Sequence, residues 1–446
     1  MKVIKRFLIM LNLLIFFFSC NLFAQNPIIT NQFTADPTAR VFGDSVYLYP
    51  SHDILANEER GRIGWFCMED YHVFSSENLT DWTDHGIVVS QYIVPWVDST
   101  SYSMWAPDCM YRDGKYYFYF PARAKDKSIH GGIGVAISDK PYGSFKPEPK
   151  PIEGMGGIDP NIFIDKDGQA YILTAMGRIA IAKLKDNMLE IEDKPITIEG
   201  LPNKGLKEGP FMFERNGIYY LTYPHVENKT EQLEYAVSDN PIGPFKVTGV
   251  IMDERPECWT NHHSIVKYKN QWYLFYHSSD LSPSFDKNRS VRIDSLFFNE
   301  DGTIKKVIPT LRGVGITDAA NEIQIDRYSL KSNEGSSIAF IDTLNKFGGW
   351  KTILDTANAW IQYNSVDFGN NKMKSLNVRV QSKTGGTLQI FLDKVTGPVI
   401  GQIEVPVSNE WNIINSSLLK FQPGIHNLIV LLKDNANVEV DWISFE

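Results

Sequence analysis

The stretch GGIDPNIFIDKDGQAYIL, residues 156–173, sets Asp159 before a short apolar run, turns at Gly168, and continues as a second apolar run. The same layout recurs in ADPTARVFGDSVYLYPSHD (35–53), WAPDCMYRDGKYYFYFPA (105–122), EGPFMFERNGIYYLTYPH (208–225) and NHHSIVKYKNQWYLFYHS (261–278). The polar heads are Asp36, Asp108, Asp159, Glu208 and His262, and the turns fall at Asp44, Gly114, Gly168, Gly217 and Asn270. Two apolar, aromatic-rich runs around a turn read as a hairpin. A hairpin repeated every ~50–70 residues predicts a radial array, one sheet per repeat around a common axis. Five repeats predict an all-β, five-bladed β-propeller. The segments SSENLTDW, SDKPYGSF and SDNPIGPF, starting at Ser75, Ser138 and Ser238, read as the outer hairpins of three blades.

Each acid has a bland reading when taken alone. Asp before Pro, as at Asp36–Pro37 and Asp159–Pro160, commonly starts a turn, and Glu208 before Gly209–Pro210 suits a solvated loop. Their shared position in the repeat points elsewhere. Carboxylates brought together at a propeller axis cost free energy unless they are used, which makes Asp36, Asp159 and Glu208 candidates for acid–base chemistry.

The opening MKVIKRFLIMLNLLIFFFSCNLFAQ has a basic start, an apolar run from Phe7 to Phe18 and a small residue at Ala24. This predicts a secretory signal over residues 1–24 and a secreted or periplasmic protein, with a lipid anchor at Cys20 as the alternative. Cleavage leaves Cys67, Cys109 and Cys258, an odd number that argues against a disulfide framework. The net charge of −9 becomes −12 without Lys2, Lys5 and Arg6, which argues against a nucleic-acid partner. No later apolar run is long enough to span a bilayer.

The hairpin repeat ends near Pro309, and residues 310–321 (TLRGVGITDAAN) have a linker-like composition. Beyond them, SLNVRVQS, TLQIFLDK, GQIEVPVS, HNLIVLLK and VEVDWISF alternate as short strands. They predict a β-sandwich over 322–446, after a propeller domain over 26–309. Through AWIQYNSVDFG, GGTLQIFLDKVTGPVIGQIEVP, Trp411 and NVEVDWISFE, this second domain resembles carbohydrate-binding module family 6, a jelly roll. The resemblance implies a sugar site with Asn437 and a stacking Trp350, and a structural calcium site at Gln324, Asp326 and Asp441. Trp360 and Trp442 read as core, and the alternative is a packing domain that binds no sugar.

The ordered set of Asp in ADP, WAPD, Asp in IDP, Glu in EGP and His in NHHS resembles glycoside hydrolase family 43. The resemblance implies an inverting hydrolase with Asp36 as general base, Asp159 as the residue that orients the acid and modulates its pKa, and Glu208 as general acid. Around these acids Trp105 reads as an aromatic floor for the sugar and Asp108 as a substrate-positioning or structural residue, while the resemblance implies substrate contacts from Arg289 and from His262 at the axis, often with water or a calcium ion; the alternatives are a core tryptophan at Trp105 and a solvated arginine beside Arg292 at Arg289. His263 is the inward residue instead if a bulge shifts the phase. The activity expected is release of terminal β-1,4-xylose or α-L-arabinofuranose from plant cell-wall xylan, arabinoxylan or their oligosaccharides. No cofactor is expected for the chemistry. The alternatives are an endo-arabinanase and a catalytically dead glycan-binding propeller.

Overall fold

The structure, a computed structural model, describes residues 25–129, 131–370 and 373–446. The predicted signal and the Cys20 alternative lie outside the described residues. Among the described residues the regular elements are strands, apart from one 3-10 turn at Lys346–Gly348, so the all-β expectation holds.

Up to residue 296 the strands form five successive antiparallel sheets. The first holds β1–β4 (Ala35–Phe42, Ser45–Ser51, Asp70–Ser76, Thr83–Ser90) and the second β5–β8 (Asp108–Arg112, Lys115–Ala122, Gly132–Ser138, Lys146–Pro147). The third holds β9–β12 (Ile158–Ile164, Ala170–Ala175, Ile179–Lys183, Ile196–Thr197), and the fourth β13–β16 (Phe211–Arg215, Ile218–Val226, Glu231–Ser238, Lys246–Met252). The fifth has β17–β19 (His263–Tyr268, Gln271–Ser278, Ser290–Leu296). Each repeat forms the first two strands of its sheet. The turn residues follow from backbone geometry: Asp113–Gly114 and Asn216–Gly217 are two-residue loops with positive φ at both positions (50° and 82°, 56° and 83°). Gly and Asn tolerate that left-handed region best, and such turns match the strand twist.

The five sheets close on themselves. β1 contacts both β5 and β17, β5 contacts β9, and β13 contacts β9 and β17. Each neighbouring pair encloses its own apolar core. Tyr71 meets Phe118 between the first and second sheets, Tyr119 meets Ile172 between the second and third, and Leu173 meets Leu221 between the third and fourth. Tyr235 meets Leu274 between the fourth and fifth. Phe74 and Trp82 of the first sheet meet Phe275 of the fifth, with Trp82 and Phe275 edge-to-face at 6.1 Å. Every sheet therefore buries both faces against a neighbour, which leaves the first strands around a common axis.

Two further sheets face each other beyond this ring. One pairs Thr317–Asp318, Trp360–Asp367, Ile425–Leu432, Gly386–Leu392 and Val399–Val405 in that order, with Leu330–Lys331 also on Trp360–Asp367. The other pairs Ser336–Phe340, Trp350–Leu354, Val438–Phe445, Ser375–Ser382 and Ser408–Ser417. Strict alternation in SLNVRVQS buries Leu376, Val378 and Val380 against Ile361, Ile390 and Val430 of the facing sheet.

Residues 310–321 differ from a tether. Val314 packs with Ile28 and Val291 of the ring, Thr317 is in a strand of the second unit, and Ala319 is in that unit's core. Only Gly315 and Ile316 separate Val314 from Thr317, and both are exposed. The linker-like composition reflects small residues at a tight packing junction. The units also touch directly: Phe33 and Phe347 rings meet at 5.0 Å, and Arg327 Nη1 donates to the Asn26 carbonyl at 3.2 Å.

Candidate active site

The hairpin register fixes which head residue faces the axis. Thr38 pairs with Tyr49, Asp108 with Tyr119, Phe211 with Thr222 and Ser264 with Phe275. Those four positions are equivalent, and two residues before each come Asp36, Ala106, Gly209 and His262. Asn161, which pairs with Leu173, takes the same place in the third sheet and puts Asp159 in this upper row. Asp36 and Asp159 have left-handed backbone, φ 46° and 55°, as has Gly209 at 64°; each precedes a proline. Such φ values on an aspartate cost about 1–3 kcal/mol and cluster at functional sites.

Asp108 belongs to the lower row, so its expected substrate contact is corrected. It is fully buried, and Arg40 Nε donates to its Oδ1 at 2.9 Å. The amides of Cys109 and Ile162, both at 2.6 Å, and Asn161 Nδ2 at 3.1 Å complete its coordination. Asp108 ties three sheets together beneath the site, and Ala106 lines the cavity in its stead. The repeat phase misled because the head of WAPD follows its proline, whereas the heads of ADP and IDP precede theirs.

The upper row opens into a cavity of about 210 Å³ lined by Asp36, Asp159, Glu208, His262 and Arg289. Trp105 forms one wall, with the Arg123 guanidinium 5.6 Å over its ring. Trp65, Phe66 and Trp259 form another, Phe66 and Trp259 stacking at 6.4 Å. His263 turns away, fully buried, with Nε2 against Thr222 Oγ1 at 2.6 Å.

Charge is divided unevenly among the acids. Arg289 donates through Nη1 to Asp36 Oδ1 at 2.6 Å and through Nε and Nη2 to the two oxygens of Asp53, both at 2.9 Å. Ser51 Oγ donates to Asp36 Oδ2 at 2.7 Å. Burial alone would raise the Asp36 pKa, but the Arg289 charge, joined by His262, His277 and the Ser51 hydrogen bond, outweighs it and holds the carboxyl at about 2. Glu208 has no such partner among the described residues. Burial first, then the Asp36 charge, push it up to about 7.

Asp159 is also raised well above the carboxylate range, by burial first and then by Glu208 and Asp36. Its Oδ2 accepts from the Gly209 amide at 2.9 Å, fixing the peptide next to Glu208. Asp36 adds a charge that lifts Glu208, and Asp159, without an arginine, is itself lifted, with Glu208 among the causes. His262 Nδ1 lies 3.8 Å from Asp36 and 3.6 Å from Asp159. Burial drives its pKa down to about 4, so its ring is neutral at pH 7.

Sequence reasoning missed several of these groups. Ser51 and Asp53 close the first repeat as SHD, where alternation aims both toward the axis. Trp65, Phe66 and Trp259 come from loops between strands. Glu231, at the start of β15, carries no motif. It is buried, its Oε2 accepts from the Asn261 amide at 2.8 Å, and burial and then Glu208 push its carboxyl well up.

In the second unit, Gln324, Asp326 and Asp441 line a cavity of about 310 Å³ together with Glu322. Asp326 Oδ2 is held by Arg327 Nε at 2.6 Å and Asp441 Oδ2 by Arg379. Asp326 Oδ1 is buried with no partner among the described residues. These oxygens fit the donor chemistry of a hard cation, which would be held through the oxygens the arginines leave free. Trp350 is not free to stack on a sugar. It is buried, with the Arg327 guanidinium 3.9 Å over its ring and Phe340 stacked on it at 5.3 Å. Asn437 is exposed, and its amide donates to Thr384 Oγ1 at 2.8 Å. Trp442 is buried as expected, and Trp360 packs partly buried against the Phe391 cluster. The described cysteines Cys67, Cys109 and Cys258 are all free.

Comparison with known proteins agrees with this arrangement. Residues 24–304 match the family model Glycosyl hydrolases family 43, and residues 329–446 match Carbohydrate binding module (family 6). A Xylosidase/arabinosidase 43A of Humicola insolens is 38% identical, covering 62% of this chain and 98% of its own length. A Beta-xylosidase of Xylanibacter ruminicola is 36% identical, covering 63% of this chain and 98% of its own. Among solved structures, a β-xylosidase/α-arabinofuranosidase from a compost metagenome, in complex with xylotriose and in calcium-free form, is 36% identical with a TM-score of 0.58. That match covers 64% of this chain and 98% of the other.

Proposed function

The chain belongs to glycosyl hydrolases family 43 and is a glycoside hydrolase, and from that premise we propose how its pocket works: as an inverting, exo-acting β-xylosidase/α-L-arabinofuranosidase. The ring of five sheets is read as a five-bladed propeller and the second unit as a jelly-roll module. The observation that carries the reading is the opposed protonation of two carboxyls in one cavity. Asp36 is ionised through Arg289, and Glu208 holds its proton to about pH 7.

Inverting hydrolysis needs that pair at ~6.5–9.5 Å, with room for water between base and sugar. Asp36 takes a proton from water as the water oxygen bonds to the anomeric carbon. The glycosidic bond breaks, and Glu208 passes its proton to the leaving oxygen. Asp159 holds the Glu208 segment through Gly209. Trp105 offers its face to the sugar, and the Trp65, Phe66 and Trp259 wall receives the leaving group. A cavity of about 210 Å³ lies below the ~300–1,000 Å³ of sites for drug-sized ligands, which favours one terminal pentose over an internal stretch of chain. Xylan, arabinoxylan and their oligosaccharides supply such ends.

No bound group is needed for these proton transfers. A calcium ion at Gln324, Asp326 and Asp441 belongs to the proposal as a structural brace, and export directed by residues 1–24 as its cellular setting.

Proton NMR of the first products from an aryl β-xyloside and an aryl α-arabinofuranoside tests the mechanism. Release of the opposite anomer is expected. Net retention would require Asp36 to be a nucleophile, and no hydrolysis of either substrate would leave a binding protein.

A further inference from the structure

Ser51 and Asp53 both serve the pocket, so His52 between them projects to the opposite side of the chain. There it meets Asp70 and His72, which share one face of β3. The ligating atoms of His52, Asp70 and His72 lie within 4.8 Å of one another, and among the described residues no other three His, Cys, Asp or Glu converge this way. The two imidazole rings stand edge-to-face at 5.0 Å. His52 Nδ1 bonds Asp70 Oδ1 at 2.6 Å, and His72 Nδ1 bonds Asp84 Oδ1 and Oδ2 at 3.0 and 3.1 Å. Gln32 Nε2 donates to Asp84 at 3.1 Å, fixing that carboxylate in turn.

We infer that His52, Asp70 and His72 form a binding site for a zinc-class divalent cation, with Asp84 orienting His72. Three observations support it. The Asp84 carboxylate on His72 Nδ1 selects the tautomer whose Nε2 carries the lone pair, which is how metal-binding histidines are commonly set, while His52 Nδ1 and Asp70 Oδ1, 2.6 Å apart, can share one ion in place of the proton between them. Neither Nε2 has a hydrogen-bond partner among the described residues, and the side chains of His52 and His72 are 20% and 15% exposed, open enough for an ion to enter. Two nitrogens and one carboxylate suit zinc, nickel or copper better than the all-oxygen sites of calcium or magnesium. The ion would join the end of β2 to β3 and so clamp the segment from which Ser51 and Asp53 hold Asp36 and Arg289. Its role there is structural, since the cluster faces away from the cavity.

The test uses the full chain after chelator treatment, titrated with Zn²⁺ alone by calorimetry and with Co²⁺ alone by visible absorption. One ion per chain, a dissociation constant of ~10 µM or tighter and a raised Tm are expected. His72→Ala should weaken binding at least tenfold while hydrolysis of an aryl glycoside without metal stays within twofold of the parent, which also shows that the variant folds. His72→Gln serves the same purpose should the alanine variant be insoluble. No saturable binding by the parent, or equal affinity in the His72 variant, would overturn the site.

Discussion

Arg289 donates through Nη1 to Asp36 Oδ1 at 2.6 Å, and this contact decides which carboxyl in the pocket is the anion. Asp53 holds the other edge of the same guanidinium, so the cation cannot swing toward Glu208 or Asp159. The active pair is set by where Arg289 points.

The pH profile of kcat/KM follows. It should be flat through mildly acidic pH and fall about tenfold per unit above the Glu208 pKa of about 7. Arg289→Lys keeps the charge but loses the two-sided grip, so the acid limb should rise from near 2 into the range of ordinary carboxylates. An acid limb that does not move would show that Arg289 is not what keeps Asp36 ionised.

Glu208 should cost stability at neutral pH. Its folded pKa lies above that of the unfolded chain, so the folded state binds the extra proton between about 4.5 and about 7. The parent therefore loses stability as pH rises through that window. Glu208→Gln removes this cost and should be the more stable protein at pH 7 by about 1–3 kcal/mol. The advantage should vanish below pH 4, as read by denaturant melts. A less stable Gln variant at pH 7 would contradict the raised pKa.

Asp159→Asn separates two roles. If Asp159 is neutral and acts by holding Gly209, the amide oxygen still accepts that bond, and the alkaline limb should shift by less than about half a unit. Asp159→Ala removes the acceptor and should lower kcat by ~10–100-fold. A fall of one unit or more in the alkaline limb of the Asn variant would make Asp159 the anion that lifts Glu208.

Ending the chain at Val314 should not yield an independent hydrolase. The cut removes Arg327 from the Asn26 carbonyl and Phe347 from Phe33 and exposes the ring face that packs on the second unit. An insoluble product, or a Tm lowered by several degrees, is expected. A soluble fragment with full activity on aryl glycosides and an unchanged Tm would show that the interface is dispensable.

The repeat made the hairpins, their turns and the convergence of Asp36, Asp159, Glu208 and His262 readable, because strand alternation and turn chemistry are local. Phase was harder. Asp108 looked like a fifth head, but two residues along a strand move a side chain one layer down the axis, and only the pairing of Asp108 with Tyr119 shows which layer it occupies. Trp350 was misread because an exposed aromatic and one covered by Arg327 look alike in sequence. Residues 310–321 misled because small residues serve tight packing as well as flexibility. Asp53, Glu231 and the Trp65–Phe66–Trp259 wall depend on contacts between distant segments, which no local pattern encodes.

The assignment of Glu208 as acid and Asp36 as base is tested most directly by one comparison: kcat/KM of each alanine variant on an aryl glycoside with an acidic phenol and on the corresponding disaccharide. Glu208→Ala should lose ~10²–10⁴-fold on the disaccharide and far less on the aryl glycoside, whose leaving group needs no proton. Asp36→Ala should lose similarly on both, since every substrate needs activated water. Leaving-group dependence in the Asp36 variant and none in the Glu208 variant would reverse the two roles, and little loss in either would remove this pocket from the chemistry.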